Sequence, residues 1–342
     1  MTGNARNVVE YQILGPIEVL ESGRTLDIGS RQQRALLAIL VMNANRVVSK
    51  ERILEDLWRH EPHGKERTLW VYVSRLRAVL DPDRQAGKKS NVLATRDHGY
   101  ILNVDRANID ARRFEDLADR GRDVLQEDPD SACQLLCEAL SLWRGAALEE
   151  FVYDDFARLD AVRLEDRRLG ALEDRIDADI RSGRHREVIG EIDQLAAAHP
   201  ERERFVAHQM IALYRAGRQA DALRAFDRHR RRIGEEFGLE PAPDLRRIQE
   251  QVLLHDTHLL PAKGHSKEML DVDNPFVGLR SFSEDDADRF FGRERLVDEI
   301  IRRIEAGSNF IALVGSSGSG KSSVLQAGLV SAFCDRATDG VE

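Results

Sequence analysis

Residues 178–192, "ADIRSGRHREVIGEI", align with residues 212–226, "ALYRAGRQADALRAF", at a fixed offset of 34 residues. Ala178 matches Ala212, Arg181 matches Arg215, Gly183 matches Gly217 and Ile192 matches Phe226. Thirty-four is the tetratricopeptide period, in which each unit is two antiparallel helices with glycine at the turn. One such pair cannot bury its own apolar face, so the units must stack. Pro200 sits where one unit would hand over to the next. No run between 105 and 260 alternates like a strand, and amphipathic helices dominate. Residues 105–257 are therefore expected to form a TPR-like helical domain. Its apolar stripes would be satisfied by stacking among themselves, with Leu213 and Leu223 in the core.

The first hundred residues read differently. "VVEYQILGPIEVL" and "RTLDI" are β-rich runs separated by the turn "ESG". Ser30 with Gln33 three residues on is a capping box, which places a helix start at Arg31. Ser49 is the N-cap of a second short helix, with Ile53, Leu54 and Leu57 facing inward. A third helix spans 65–80, and Asp81-Pro82 stops it. "VLATR" and "YILNV" then read as two strands around the tight turn "DHG". Strands, three helices and a hairpin are the order of a winged helix-turn-helix.

At 100° per residue, Leu69, Val73, Leu76 and Leu80 share one face of the third helix and pack inward. Val71, Ser74, Arg75 and Ala78 face the other way, with Arg67 close by. A helix entering a major groove needs short side chains for close approach and arginines for phosphates or guanine edges. The candidate DNA contacts are Arg67, Thr68, Val71, Ser74, Arg75 and Arg77 on this helix, with Arg96 and His98 at the wing tip. Charge supports the choice: residues 1–104 carry net +4, against −9 for residues 105–260 and −4 for the remainder. Exposed arginines alone would also suit any small α/β domain; the element order is what favours DNA.

"GSRQQRALLAILVMNANRVVSKERILEDLW" and "VYVSRLRAVL", closed by "TRDHGYIL", resemble the OmpR-type winged helix of the Streptomyces antibiotic regulatory protein family of bacterial activators. The resemblance covers residues 8–104. "RLEDRRLGALEDRIDADI" and "EEFGLEPAPDLRRIQEQVL" are similar to the bacterial transcriptional activator domain that follows the winged helix in those regulators. The resemblance implies double-stranded DNA as a partner, contact with RNA polymerase, and a homodimer on direct-repeat sites.

Other candidates are weaker. Cys133 and Cys137 lie four apart on one helix but lack a second ligand pair, so they read as ordinary helix cysteines rather than a metal site. His60 and His63 flank a turn without a glutamate partner. "RHRRRIG" at 228–234 reads as a solvated or partner-facing patch. No catalytic set stands out.

Near the end, "GSSGSGKS" fits G-x-x-x-x-G-K-[ST], the phosphate-cradling loop. Gly315, Ser316, Ser317, Gly318, Ser319 and Gly320 would surround the phosphates; Lys321 would add charge and Ser322 would hold magnesium. "NFIALVG" before it reads as a buried parallel strand, and "KSSVLQAGLVSAF" as the helix beyond. Ser283 with Asp286 forms another capping box, and Leu296, Ile300 and Ile304 share a stripe. "FFGRERLVDEI" followed by this loop resembles the opening of a STAND-type signalling ATPase module. The sequence departs from that pattern by ending twenty residues after Ser322, without a later strand to supply an acidic residue. A truncated chain or a remnant is expected, with weak ATP–magnesium binding and no turnover.

The expected fold is multidomain and mainly α: a winged helix over 1–104, helical repeats over 105–257, a linker over 258–274, and an incomplete P-loop α/β segment over 275–342. No run of eighteen apolar residues and no leader-like N-terminus is present, so a cytoplasmic protein without a membrane span is expected. The leading function is a DNA-binding transcriptional activator that is not an enzyme. Two alternatives are an ATP-gated switch controlling DNA binding and a repeat scaffold without DNA.

Overall fold

The computed structural model describes residues 9–59, 64–82, 90–256, 259, 291–307, 310–314, 321–330 and 332. They fall into two units, Met1–Gly264 and His265–Glu342.

The first unit opens with β1 (Val9–Gln12), β2 (Glu18–Glu21) and β3 (Arg24–Thr25) in one antiparallel sheet. The first β-rich run thus holds two strands, paired from Val9–Glu21 to Gln12–Glu18. Ser22 and Gly23 both take positive φ, 50° and 81°, which suits the right-handed twist of a tight hairpin.

Helix α1 (Arg31–Met42) starts at the capping box: Gln33 Oε1 accepts from the Ser30 N–H at 3.2 Å. β4 (Val48–Ser49) is a two-residue strand not apparent in the sequence pattern. Ser49 Oγ then caps α2 (Lys50–Leu57) by accepting from Arg52 N at 3.2 Å. α3 (Glu66–Leu80) follows, and then β5 (Leu93–Arg96) and β6 (Gly99–Leu102). The second sheet runs β4-β6-β5, so β4 anchors the hairpin to the start of α2.

The helical part comprises α4 (Asp110–Val124), α5 (Pro129–Ser141), α6 (Asp155–Arg181), α7 (Ile189–Ala198), α8 (Glu203–Arg215), α9 (Gln219–Phe237) and α10 (Pro243–Leu253). The 34-residue repeat is visible in the backbone itself. Ser182 N donates to Ala178 O, Gly183 N to Ile180 O and Arg184 N to Asp179 O. Ala216, Gly217 and Arg218 make the same three bonds to Ala212, Tyr214 and Leu213. Gly183 and Gly217 hold φ of 84° and 76° at these turns, a region that costs an L residue about 1–2 kcal/mol. The matched pairs Ala178/Ala212 and Ile192/Phe226 are buried. Leu213 is buried and Leu223 is half-buried against the same cluster.

The winged-helix part and the start of the helical part pack against each other. A single apolar core runs from Tyr11 to Ala178, through α1, α3, α4, α5 and α6. The apolar core is thus continuous across residues 104 and 105. Asp110 shows how the two parts join. Its buried carboxylate accepts from the N–H groups of Ile13 and Leu14, each at 2.9 Å, and from Ala111 at 2.7 Å. Burial, only partly offset by those bonds, pushes its pKa up to about 6. The same stretch takes a second strap: Ile13 O accepts from Leu148 N and Leu14 O from Arg144 N, both at 2.8 Å. Charged contacts add a third. Arg34 pairs with Glu150 at 2.7 Å, Arg31 with Asp154 and Arg59 with Asp155.

In the second unit, α11 (Glu294–Glu305) buries Val297, Ile300 and Ile301 against Val324. The expected stripe shifts by a fraction of a turn: Leu296 is half-buried and Ile304 is exposed. Residues 310–314 carry no strand pairing, with Phe310 and Val314 85% and 91% exposed. A lone extended segment needs a neighbour to take its N–H and C=O groups, and the described residues of this unit supply none. α12 (Lys321–Ser323) continues into π-helical turns over Val324–Val330 rather than a regular helix. His60, His63, Ser283, Asp286, the whole of the linker 258–274 except Leu259, and residues 275–290 lie outside the described residues.

Candidate nucleic-acid interface

Helix α3 is held from one side by its apolar face. Leu69, Val73, Leu76 and Leu80 are all buried, as the wheel requires, and each is worth about 1.5–3 kcal/mol relative to exposure. One flank is fixed by Tyr72, which stacks on Trp58 at 5.9 Å and donates its hydroxyl to Gln32 Oε1 of α1 at 2.8 Å. The helix is thus presented on a rigid base, with its opposite strip open to solvent.

Of the expected contact residues, Arg67 and Arg75 are exposed, while Thr68, Val71 and Ser74 are half-buried beside them. Neither arginine has a hydrogen-bond or ion-pair partner among the described residues. An unpaired guanidinium on a helix face keeps all its donors for an incoming acceptor. Arg96, at the end of β5, and His98, in the turn, are exposed on the hairpin. The His98 carbonyl accepts from Lys50 N at 2.9 Å, which fixes the turn against the start of α2.

Arg77 has a different position from its companions. Its Nε donates to Leu93 O at 2.8 Å and an Nη to Thr95 Oγ1 at 2.7 Å, and its guanidinium lies 5.9 Å from the Tyr100 ring centroid. It braces the hairpin against α3. The wheel alone could not show this, because the partner strand is distant in sequence and joined by a loop.

Trp70 was missed by the sequence reading. It is 62% exposed on α3, one turn after Arg67 and one turn before Ser74. The 3.6-residue period places it at the edge of the open strip, but a bulky ring did not fit a pattern of small and basic residues.

Gly315, Ser316, Ser317, Gly318, Ser319 and Gly320 lie outside the described residues. Lys321, half-buried, and Ser322, exposed, open α12. On α5, Cys133 Sγ lies 3.9 Å from Cys137 Sγ and donates to Asp179 at 3.3 Å; burial first, then that carboxylate, pushes the Cys133 thiol up to about 12. In the 228–234 patch, His229 and Ile233 are buried, Arg228, Arg230 and Arg231 are exposed, and half-buried Arg232 donates to the Ala197 carbonyl at 2.8 Å. No helix among the described residues is long and apolar enough to cross a membrane.

Three family descriptions match consecutive stretches of the chain. "Transcriptional regulatory protein, C terminal" matches residues 24–102, "Bacterial transcriptional activator domain" matches 109–253, and "Novel STAND NTPase 1" matches 275–341. Regulatory protein AfsR of Streptomyces coelicolor is 34% identical over 92% of this chain, which spans only 30% of that longer protein. Transcriptional regulator RedD of the same organism is 36% identical, covering 74% of this chain and 73% of its own length. Regulatory protein DnrI of Streptomyces peucetius is 34% identical over 72% of this chain and 93% of its own. Among solved structures, Mycobacterium tuberculosis EmbR in complex with a low affinity phosphopeptide superposes with a TM-score of 0.69 at 30% identity, over 75% of this chain and 67% of that one. With the winged helix and helical body matched in order, and one relative covered nearly end to end, the chain belongs to the Streptomyces antibiotic regulatory protein family of transcriptional regulators.

Proposed function

We propose that this chain activates transcription by binding a specific DNA duplex, with α3 in the major groove and the β5–β6 hairpin on the adjacent backbone or minor groove. The observation that carries the reading is the pairing of a fully buried apolar face on α3 with exposed Arg67 and Arg75, which have no partner among the described residues, on its open strip. Val71 and Ser74 between them leave room for base edges. Arg96 and His98 on the hairpin reach the phosphates. The helical body supplies the surface for RNA polymerase and for a second copy bound at a direct repeat.

The deciding experiment selects a preferred duplex from a random pool with the 342-residue chain and repeats the binding with Arg75→Ala. A loss of about 1–3 kcal/mol, with weakened preference at one position, is expected. Unchanged affinity and preference, with the fold intact, would remove Arg75 from the interface.

A nucleotide-responsive reading is favoured by one observation, the motif ending in Lys321 and Ser322 within the stretch matched to "Novel STAND NTPase 1". In this chain ATP with magnesium would be bound weakly and not turned over. The segment before the motif is solvent-exposed at Phe310 and Val314 and pairs with no strand among the described residues, which is weak support for a phosphate site.

A further inference from the structure

We propose that Trp70 is a specificity-determining residue that reads a thymine through its methyl group. The inference rests on the DNA-binding reading above and adds a base preference to it.

Four observations converge. First, Trp70 is 62% exposed although α3 has a well-filled core, so its ring contributes little to the packing of this chain. Second, its neighbours one helical turn away are Arg67 and Ser74, both on the open strip. Third, the two flanks of α3 are unequal. Tyr72, on one flank, is fully engaged by Trp58 and Gln32. Trp70, on the opposite flank, makes no ring stack or cation–π contact among the described residues. Fourth, Arg77 lies seven residues on, two turns along the same flank as Trp70, and reaches the hairpin. The exposed indole therefore lies on the flank of α3 that carries Arg77, opposite the flank that Tyr72 engages.

The chemistry of the groove selects the ligand group. Among the four bases only thymine presents a methyl group, at C5, on its major-groove edge. An indole that replaces water against that methyl gains from burial on both sides. Arg67 beside it would hold the neighbouring phosphate or base edge and fix the register. The predicted preference is for thymine at one position next to the one read by Arg67.

The test uses the full chain and the duplex it selects from a random pool. Each thymine is replaced in turn by uracil, which removes only the methyl. For the wild-type chain one such replacement is expected to weaken binding by about fourfold, the value of one buried methyl. Trp70→Ala should bind roughly tenfold more weakly and make no distinction between thymine and uracil at that position. Trp70→Phe should restore part of the distinction. A Trp70→Ala variant that keeps the wild-type thymine-to-uracil profile overturns the proposal while leaving DNA binding in place. If that variant also loses activation in a reconstituted polymerase assay, the ring meets protein instead of DNA and the proposal again fails. A wild-type chain that selects no duplex would overturn the DNA reading and this proposal together. Because the ring is exposed, circular dichroism of the variants should match the wild type.

Discussion

The Arg77 guanidinium donates to the Leu93 carbonyl at 2.8 Å, which makes helix α3 and the β5–β6 hairpin one mechanical piece. With the second bond to Thr95, one side chain sets the angle between the two elements expected to meet DNA.

Replacing Arg77 with alanine should therefore act on the fold before it acts on recognition. The Leu93 carbonyl loses a charged donor, and a cost of about 1–3 kcal/mol is expected from urea unfolding. Amide exchange in 93–102 should rise, and affinity should fall alike for preferred and random duplexes. A loss confined to one base position, at unchanged stability, would make Arg77 a base contact instead.

Gly183 and Gly217 offer an internal control. A Cβ at either would meet nothing within 4 Å, so alanine there introduces backbone strain alone. Each substitution should destabilise by about 1–2 kcal/mol, and asparagine should cost less. Unequal costs at the two sites, measured by thermal or urea unfolding, would show that the two turns differ in more than position.

His208 gives the helical body an acid-sensitive point. Burial pushes its pKa down to about 4, with Arg204 and Arg181 acting in the same direction and Asp177 and Asp174 against it. The unfolded chain binds the proton more readily, so the group's contribution to stability is complete above about 6.5 and is lost as pH falls towards 4. The loss amounts to roughly 3 kcal/mol. His208→Gln should remove that dependence. Parallel unfolding free energies for the two proteins between pH 6.5 and 4 would contradict it.

Lys321→Ala is the test of the nucleotide site. Phosphate release by the 342-residue chain should be indistinguishable from the variant's, and DNA affinity should be indifferent to ATP, because a ligand that hardly binds cannot shift an equilibrium. Clear hydrolysis that vanishes in the variant would show a working site completed by a second chain or copy.

Much of this molecule was legible from local pattern. The Ser30 and Ser49 caps, the buried face of α3 and the 34-residue offset depend on residues within a few turns of one another, where periodicity is informative. The joint between the sheet and the helical body was not legible. Asp110 meets Ile13 across 97 residues, and nothing local marks a carboxylate that will cap another segment's backbone. The hairpin bonds of Arg77 were hidden for the same reason. Its spacing shows which side of the helix it leaves, but not that a strand waits there. The segment 310–314 failed in the opposite sense: its apolar composition suits a strand, but pairing depends on a neighbour that composition cannot supply.

The shared core and the Asp110 joint have a further effect on how such a protein could sit on a promoter. A body that cannot swivel on its DNA-binding part is carried around the duplex axis by the site itself. Moving that site by about five base pairs turns the helical body to the far face of the double helix, and moving it by about ten restores it. Promoter output should then oscillate with spacing, with a period set by the pitch of DNA rather than by the reach of a tether.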